Sequence, residues 1–107
     1  MTETEFKEVI EELIIQIEDA LEELDNNIDY ESSDGMLTII MENKSQLIIN
    51  RQSAALQLWL AAKSGGYHFD YDDEKGWQDD RSGEVFIDIL NRCLTEQANE
   101  KIKLELE

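Results

Sequence analysis

What this chain has least of sets the first limits. It holds one cysteine, one histidine, no proline, and nine lysines and arginines against 26 aspartates and glutamates. The lone Cys93 excludes an intrachain disulfide and fits a reducing compartment. No apolar run approaches the ~18 residues that mark a membrane-spanning helix, and the acidic N-terminal stretch has the wrong charge for a signal or transit peptide. A soluble cytoplasmic protein is expected. The shortage of bases gives a net charge of −17 and a pI near 4.1. That speaks against a nucleic-acid binder, because phosphate contacts need a basic patch, and it disfavours anionic membrane surfaces. Glycine-rich phosphate loops, nucleophile elbows and triad patterns are missing too, and the carboxylate pairs lie on faces that read as exposed, so catalysis is not expected.

What is present is a hydrophobic fraction of 41% in periodic segments, sufficient for one modest core, so a single domain is expected over residues 1–107. The charge is unevenly spread. From Met1 to Asp34 thirteen acids stand against one base, Lys7, a net of −12; the remaining residues hold thirteen acids and eight bases. Such a field attracts basic protein surfaces and metal cations.

Thr2 with Glu5 three residues later forms a capping box, which predicts a helix from Glu3 to about Leu24. At about 100° per residue, Phe6, Val9, Ile10, Leu13, Ile17, Ala20, Leu21 and Leu24 share one side. Glu8, Glu11, Glu12, Glu18, Asp19, Glu22 and Glu23 share the other, and Ile15 falls among them as a misfit. From Ile28 the period changes to that of strands: Ile28 to Ser32, a Ser33-Asp34-Gly35 turn, Met36 to Glu42, an Asn43-Lys44 turn, and Gln46 to Asn50. Leu56-Gln57-Leu58-Trp59-Leu60 alternates, with the three leucines on one face and Gln57 and Trp59 on the other. Ser64-Gly65-Gly66 turns the chain into Tyr67 to Tyr71, and Trp77 begins a last short strand. Ser82 is read as the cap of a second helix from Gly83 to about Ala98, with Val85, Phe86, Ile89, Leu90, Cys93 and Leu94 as its apolar stripe. The closing Leu106-Glu107 is read as a cloning remnant and given no weight. Short connections between consecutive strands imply an antiparallel meander. The fold class is therefore an α/β (α+β) two-layer sandwich: an antiparallel sheet of five to six strands with both amphipathic helices on one face.

Carboxylates at i, i+3 and i+4 on a helix can converge on a hard cation, and Glu18, Asp19, Glu22 and Glu23 have that spacing. Asp25, Asp29 and Glu31 continue the charge into the next element. With no histidine or cysteine among them, the site they would make is open, weak and poorly selective, taking iron but also other divalent cations. The competing reading is a solvated helix face that serves solubility. Concentrated like charge destabilises a fold, however, and a basic partner or bound cations would relieve it. Trp59, beside Gln57 and near Asn50, Arg51 and Gln52, reads either as a protein–protein anchor or as a tryptophan covered by the Arg51 stem or by loop residues. His68, in a strand between Tyr67 and Phe69, is read as structural. Cys93 is read as a small buried hydrophobe, and Asp70, Asp72, Asp73 and Glu74 as a solvated loop.

Ile48-Ile49-Asn50-Arg51-Gln52, then Gln57-Leu58-Trp59-Leu60-Ala61, then Gly65-Gly66-Tyr67-His68-Phe69-Asp70 and Trp77 through Asp80-Arg81-Ser82-Gly83-Glu84, resemble the frataxins over essentially the whole chain. The bacterial, CyaY-type branch is the most similar. The Ser32 to Gly35 connection is shorter than in that branch, and Asn26, Asn27 and Ile28 stand where it has acids. The resemblance implies weak binding of Fe²⁺ or Fe³⁺ on the acidic ridge and a part in iron–sulfur cluster assembly. The partners it implies are a cysteine desulfurase and its scaffold protein, with this protein acting as an iron-dependent regulator or an iron donor. It also assigns scaffold contact to Trp59 and the Asn50-Arg51-Gln52 segment. A monomer is expected, with iron-dependent oligomers as the variant state. Two rival readings are an acidic decoy that mimics nucleic acid and a ferroxidase or iron-storage assembly.

Overall fold

The computed structural model describes residues 1–24 and 27–106. Helix α1 runs Glu3–Glu22, and its start is fixed by both halves of the capping box: Glu5 N–H donates to Thr2 Oγ1 and Thr2 N–H to Glu5 Oε1, each at 3.1 Å. The helix ends two residues before Leu24, whose N–H turns back to the Leu21 carbonyl at 3.2 Å. Phe6, Ile10, Leu13, Ile14, Ile17 and Leu21 are buried, while Val9, Ala20 and Leu24 lie at the margin of the core. Ile15 is 56% exposed, as its angle requires.

Six strands follow in a plain antiparallel meander ordered as in the chain: β1 Asp29–Ser33, β2 Met36–Ile40, β3 Gln46–Gln52, β4 Gln57–Ala62, β5 Gly65–Asp72 and β6 Gly76–Asp79. Alternation sends Leu37, Ile39, Leu47, Ile49, Leu58, Leu60, Phe69 and Trp77 to the helix side, where all are buried. The β1–β2 connection is Asp34-Gly35 alone, between the paired Ser33 and Met36. Gly35 has φ +72°, which favours glycine, and a Cβ there would stand 2.8 Å from Arg51 Cζ, so the end of the Arg51 side chain would have to move aside.

Three local expectations are corrected. Leu56 does not join Leu58 and Leu60 on the inner face: it sits in the turn after Ser53 with φ +52° and is 36% exposed. Gly65 and Gly66 belong to β5, paired with Ala62 and Ala61, so the turn before β5 is Lys63-Ser64. Ser82 does not cap the second helix. Its hydroxyl donates to Asp79 Oδ2 at 2.7 Å and accepts from the Glu84 N–H, and Gly83 at φ +77° breaks the path. Helix α2 begins three residues later, Phe86–Ala98, with Val85 as an N-cap that makes no side-chain hydrogen bond and instead bridges to Gln78.

Both helices cover one face of the sheet. Phe6 of α1 meets Trp77 of β6 edge-on at 6.0 Å, and Phe86 of α2 meets Phe69 of β5 at 5.1 Å. The C-terminal segment, where Ile102, Leu104 and Leu106 alternate with Lys101, Lys103 and Glu105, adds a third covering piece. Ile102 and Leu104 are buried, and α2 holds their backbone with side chains. Thr95 Oγ1 accepts from Ile102 N–H and donates to its carbonyl, both at 3.0 Å. Asn91 accepts from Leu104 N–H at 2.8 Å and donates to its carbonyl at 3.1 Å. Four helical residues rise about 6 Å and two extended residues about 6.6 Å, so one clamp per helical turn keeps step with the tail. Leu106, far from being idle, packs at the edge of the core beside Leu13 of α1 and Ile87 of α2. Gln97 pins the other end of α2: its side chain accepts from Lys63 N–H at 2.9 Å and donates to Ser45 Oγ and the Gln46 carbonyl.

Candidate metal and partner-binding surfaces

Carboxylates run the whole length of α1, and four of them stand at or just past its C-terminal end. Glu18, Asp19, Glu22 and Glu23 lie there, and no base occupies the last turn. The helix macrodipole puts its negative end at the same place, so the arrangement is self-repelling and favours cations. Strand β1 runs beside this end. Tyr30 faces inward, paired with buried Ile39, and its hydroxyl donates to Glu22 Oε1 at 2.5 Å. That bond, then burial and the charges of Glu22, Glu18 and Asp19, push the phenol up to about 12. One ridge carboxylate is thereby already engaged by a neutral donor, a partner that the strand pattern alone does not reveal.

Asp29 and Glu31, on either side of Tyr30, emerge on the opposite, open face of the sheet, paired with Ile40 and Thr38. The structure thus splits the expected ligand set along one edge of the sandwich: four carboxylates on α1 above, two on β1 below. Asp25 lies outside the described residues. Among the described residues no three histidine, cysteine, aspartate or glutamate side chains stand close enough to hold a metal ion. The donor chemistry is that of a hard-cation surface, all carboxylate oxygen, without a preformed cage.

Trp59 occupies the middle of the open face. Its indole Nε1–H donates to Gln57 Oε1 at 3.0 Å, and the Gln57 amide donates in turn to Asp70 Oδ1 at 3.0 Å and Asp80 Oδ2 at 3.3 Å. His68 of β5 stacks on the indole with ring centroids 4.2 Å apart and planes 15° from parallel. Asn50 is the cross-strand partner of Trp59, and Gln52 that of Gln57, so these four share one face. Arg51 does not. Alternation turns it to the helix side opposite Leu58, where its side chain is 11% exposed, packed under Gly35 and 3.5 Å from Asp34 Oδ2. It cannot shield Trp59, and it holds the β1–β2 turn. Cys93 is buried in α2 beside Ser64, as its place in the stripe predicts.

Register connects the two surfaces. One row across the open face reads Glu31, Thr38, Ile48, Ala61, and the next Ser33, Met36, Asn50, Trp59, His68. At about 4.8 Å per strand, the acidic edge and Trp59 are about 14 Å apart, within the footprint of one protein–protein contact. Fold and surfaces together define a helix-backed antiparallel meander with a carboxylate-rich edge and an aromatic-centred open face.

The Frataxin-like domain family matches residues 1–100, and the chain belongs to that family. It is 45% identical over 104 residues to the iron-sulfur cluster assembly protein CyaY of Pseudomonas aeruginosa, covering 96% of each chain. It is also 45% identical to the protein of the same name from Azotobacter vinelandii, covering 96% of this chain and 94% of that one. The frataxin of Psychromonas ingrahamii superposes with a TM-score of 0.88 at 38% identity, covering 96% of this chain and 97% of that one. Trimeric yeast frataxin, from Saccharomyces cerevisiae and complexed with ferrous iron, superposes at 0.70 with 26% identity, covering 94% and 88%.

Proposed function

We propose that this protein binds iron loosely on its acidic ridge and modulates iron–sulfur cluster assembly by docking to a cysteine desulfurase and its scaffold protein. It acts there as an iron-dependent regulator or iron donor and performs no catalysis of its own. The observation that carries the reading is the net charge of −12 packed into Met1–Asp34, with Glu18, Asp19, Glu22 and Glu23 at the negative end of α1, where cations or a basic partner relieve it. The CyaY relatives' shared name and the ferrous complex of yeast frataxin support it. Glu18, Asp19, Glu22, Glu23, Asp25, Asp29 and Glu31 offer oxygen ligands suited to Fe²⁺ and Fe³⁺, with Mn²⁺ or Ca²⁺ as competitors. Asn50, Gln52, Gln57 and Trp59 supply the scaffold-facing contact, and Arg51 supports them from the opposite side by fixing the β1–β2 turn. The protein works as a cytoplasmic monomer. Among the described residues no helix is long and apolar enough to cross a membrane.

Trp59→Ala separates this reading from the nucleic-acid decoy. In a frataxin it weakens scaffold binding and leaves desulfurase docking through the ridge intact, whereas a decoy has no use for an aromatic on the sheet. Oxygen consumption with Fe²⁺ well above that of free iron would mark a ferroxidase instead. Because ridge carboxylates serve both roles, saturating Fe²⁺ at fixed ionic strength weakens desulfurase binding; unchanged binding refutes the shared site.

A further inference from the structure

The open face sets the chain's only histidine against one of its two tryptophans. Trp59 has one indole face on His68 and its N–H on Gln57, so one face of the ring and its single donor are already engaged. A tryptophan on a sheet surface without such supports spreads over several rotamers and loses that freedom when it docks. The charged groups around the imidazole come from two sides. Asp70, two residues along β5, shares its face, with Asp72 further on. Asp80, after β6, donates its backbone N–H to the His68 carbonyl at 2.9 Å and directs its carboxylate to Gln57. Strands β4 and β3 present the neutral Trp59, Gln57 and Asn50, and β6 the neutral Gln78.

We propose that His68 is a positioning residue that holds Trp59 in its docking rotamer, and that protonation of His68 tightens this hold. Imidazole changes charge near neutral pH, and an imidazolium is attracted both to an indole face and to the two carboxylates beyond it. Acidification therefore stiffens the anchor. The consequence for partner binding rests on the scaffold-docking role of Trp59 given above; the coupling of the two rings does not.

NMR between about pH 8.5 and 5.5 tests the coupling directly, above the range where carboxylates titrate. One imidazole gives one titration, and two indole N–H signals report, that of Trp59 identified by its loss in Trp59→Phe. The Trp59 signal follows the imidazole midpoint, the Trp77 signal does not, and His68→Phe, which keeps a stacked ring, abolishes the shift. With a purified bacterial iron–sulfur scaffold protein, His68→Ala weakens binding about two- to tenfold through the lost ring stack and His68→Phe restores it. The unaltered protein binds more tightly at the acid end, while His68→Phe is flat with pH. A Trp59 signal that ignores the imidazole, a shift that survives in His68→Phe, or His68→Phe binding as poorly as His68→Ala overturns the proposal. If the unaltered protein does not bind the scaffold, the docking role fails and the consequence for partner binding falls with it, while the NMR result still decides the coupling.

Discussion

The C-terminal segment alternates Ile102, Leu104 and Leu106 with charged residues and completes the helix layer, and its removal or weakening tests that claim. Leu104 is 2% exposed, between α2 and the core. Truncating it to alanine loses burial and leaves a cavity, at a cost of about 3 kcal/mol. For a domain of this size that is a large share of a total stability of about 5–15 kcal/mol. It corresponds to a fall in Tm of about 10–20 °C. Asn91→Ala leaves the N–H and carbonyl of Leu104 without their clamp in a part-buried position, at about 1–2 kcal/mol. Both changes release the same piece of chain, so the double variant costs less than the sum by about 1 kcal/mol. Urea unfolding followed by circular dichroism measures all three. A Leu104→Ala cost below about 1 kcal/mol would show that the tail is not part of the cooperative unit. Strict additivity would show that Asn91 does not act through it.

Two further outcomes follow from single contacts. The Tyr30–Glu22 bond raises the phenol from its ordinary 10 to about 12, so the stability it lends is complete below pH 10 and disappears as the pH rises through 12. Tyr30→Phe should lower the urea midpoint at pH 8 and converge with the unaltered protein in alkali; parallel curves would rule out the linkage. Gly35→Ala meets both a positive φ and the buried Arg51 guanidinium and should cost about 1–3 kcal/mol. Placed in an Arg51→Ala background it should cost less, because only the backbone penalty remains, and an equal cost in both backgrounds would exclude the clash.

The sandwich is legible in the sequence because its signals are local and periodic. The Thr2–Glu5 box, the α1 stripe and the alternation in β4 each suffice to place an element. What failed was decided by particular hydrogen bonds and turns that a period does not report. Ser82 has the chemistry of a cap, but Asp79 claims its hydroxyl. Burial pushes the Asp79 carboxyl up, yet the hydrogen bonds from Ser82 and the Arg81 backbone outweigh it and hold the group below the usual carboxylate range. Leu56 continues the alternation on paper, but the turn after Ser53 takes it in the left-handed region. The alternation of Ile102, Leu104 and Leu106 with charged residues marks one side of the tail as buried, but the Asn91 and Thr95 side chains that hold its backbone leave no signature in the segment itself. At the site, alternation within Asn50-Arg51-Gln52 already separates Arg51 from Trp59, and counting along β3 finds it. The Trp59–His68 stack depends on the β4–β5 register, and the Tyr30–Glu22 bond on how β1 lies against α1. Neither is visible in either segment alone.

The central claim is that the carboxylates of α1 form a docking surface for a basic partner. Titration of the protein against a purified bacterial cysteine desulfurase, at low and high salt, tests it most directly, with Glu18→Lys and Glu22→Lys alongside. The account predicts tight binding at low salt that weakens as salt screens the ridge and collapses in both reversals, while the fold is retained. Binding that ignores salt and survives the reversals, or no binding at any salt, contradicts it.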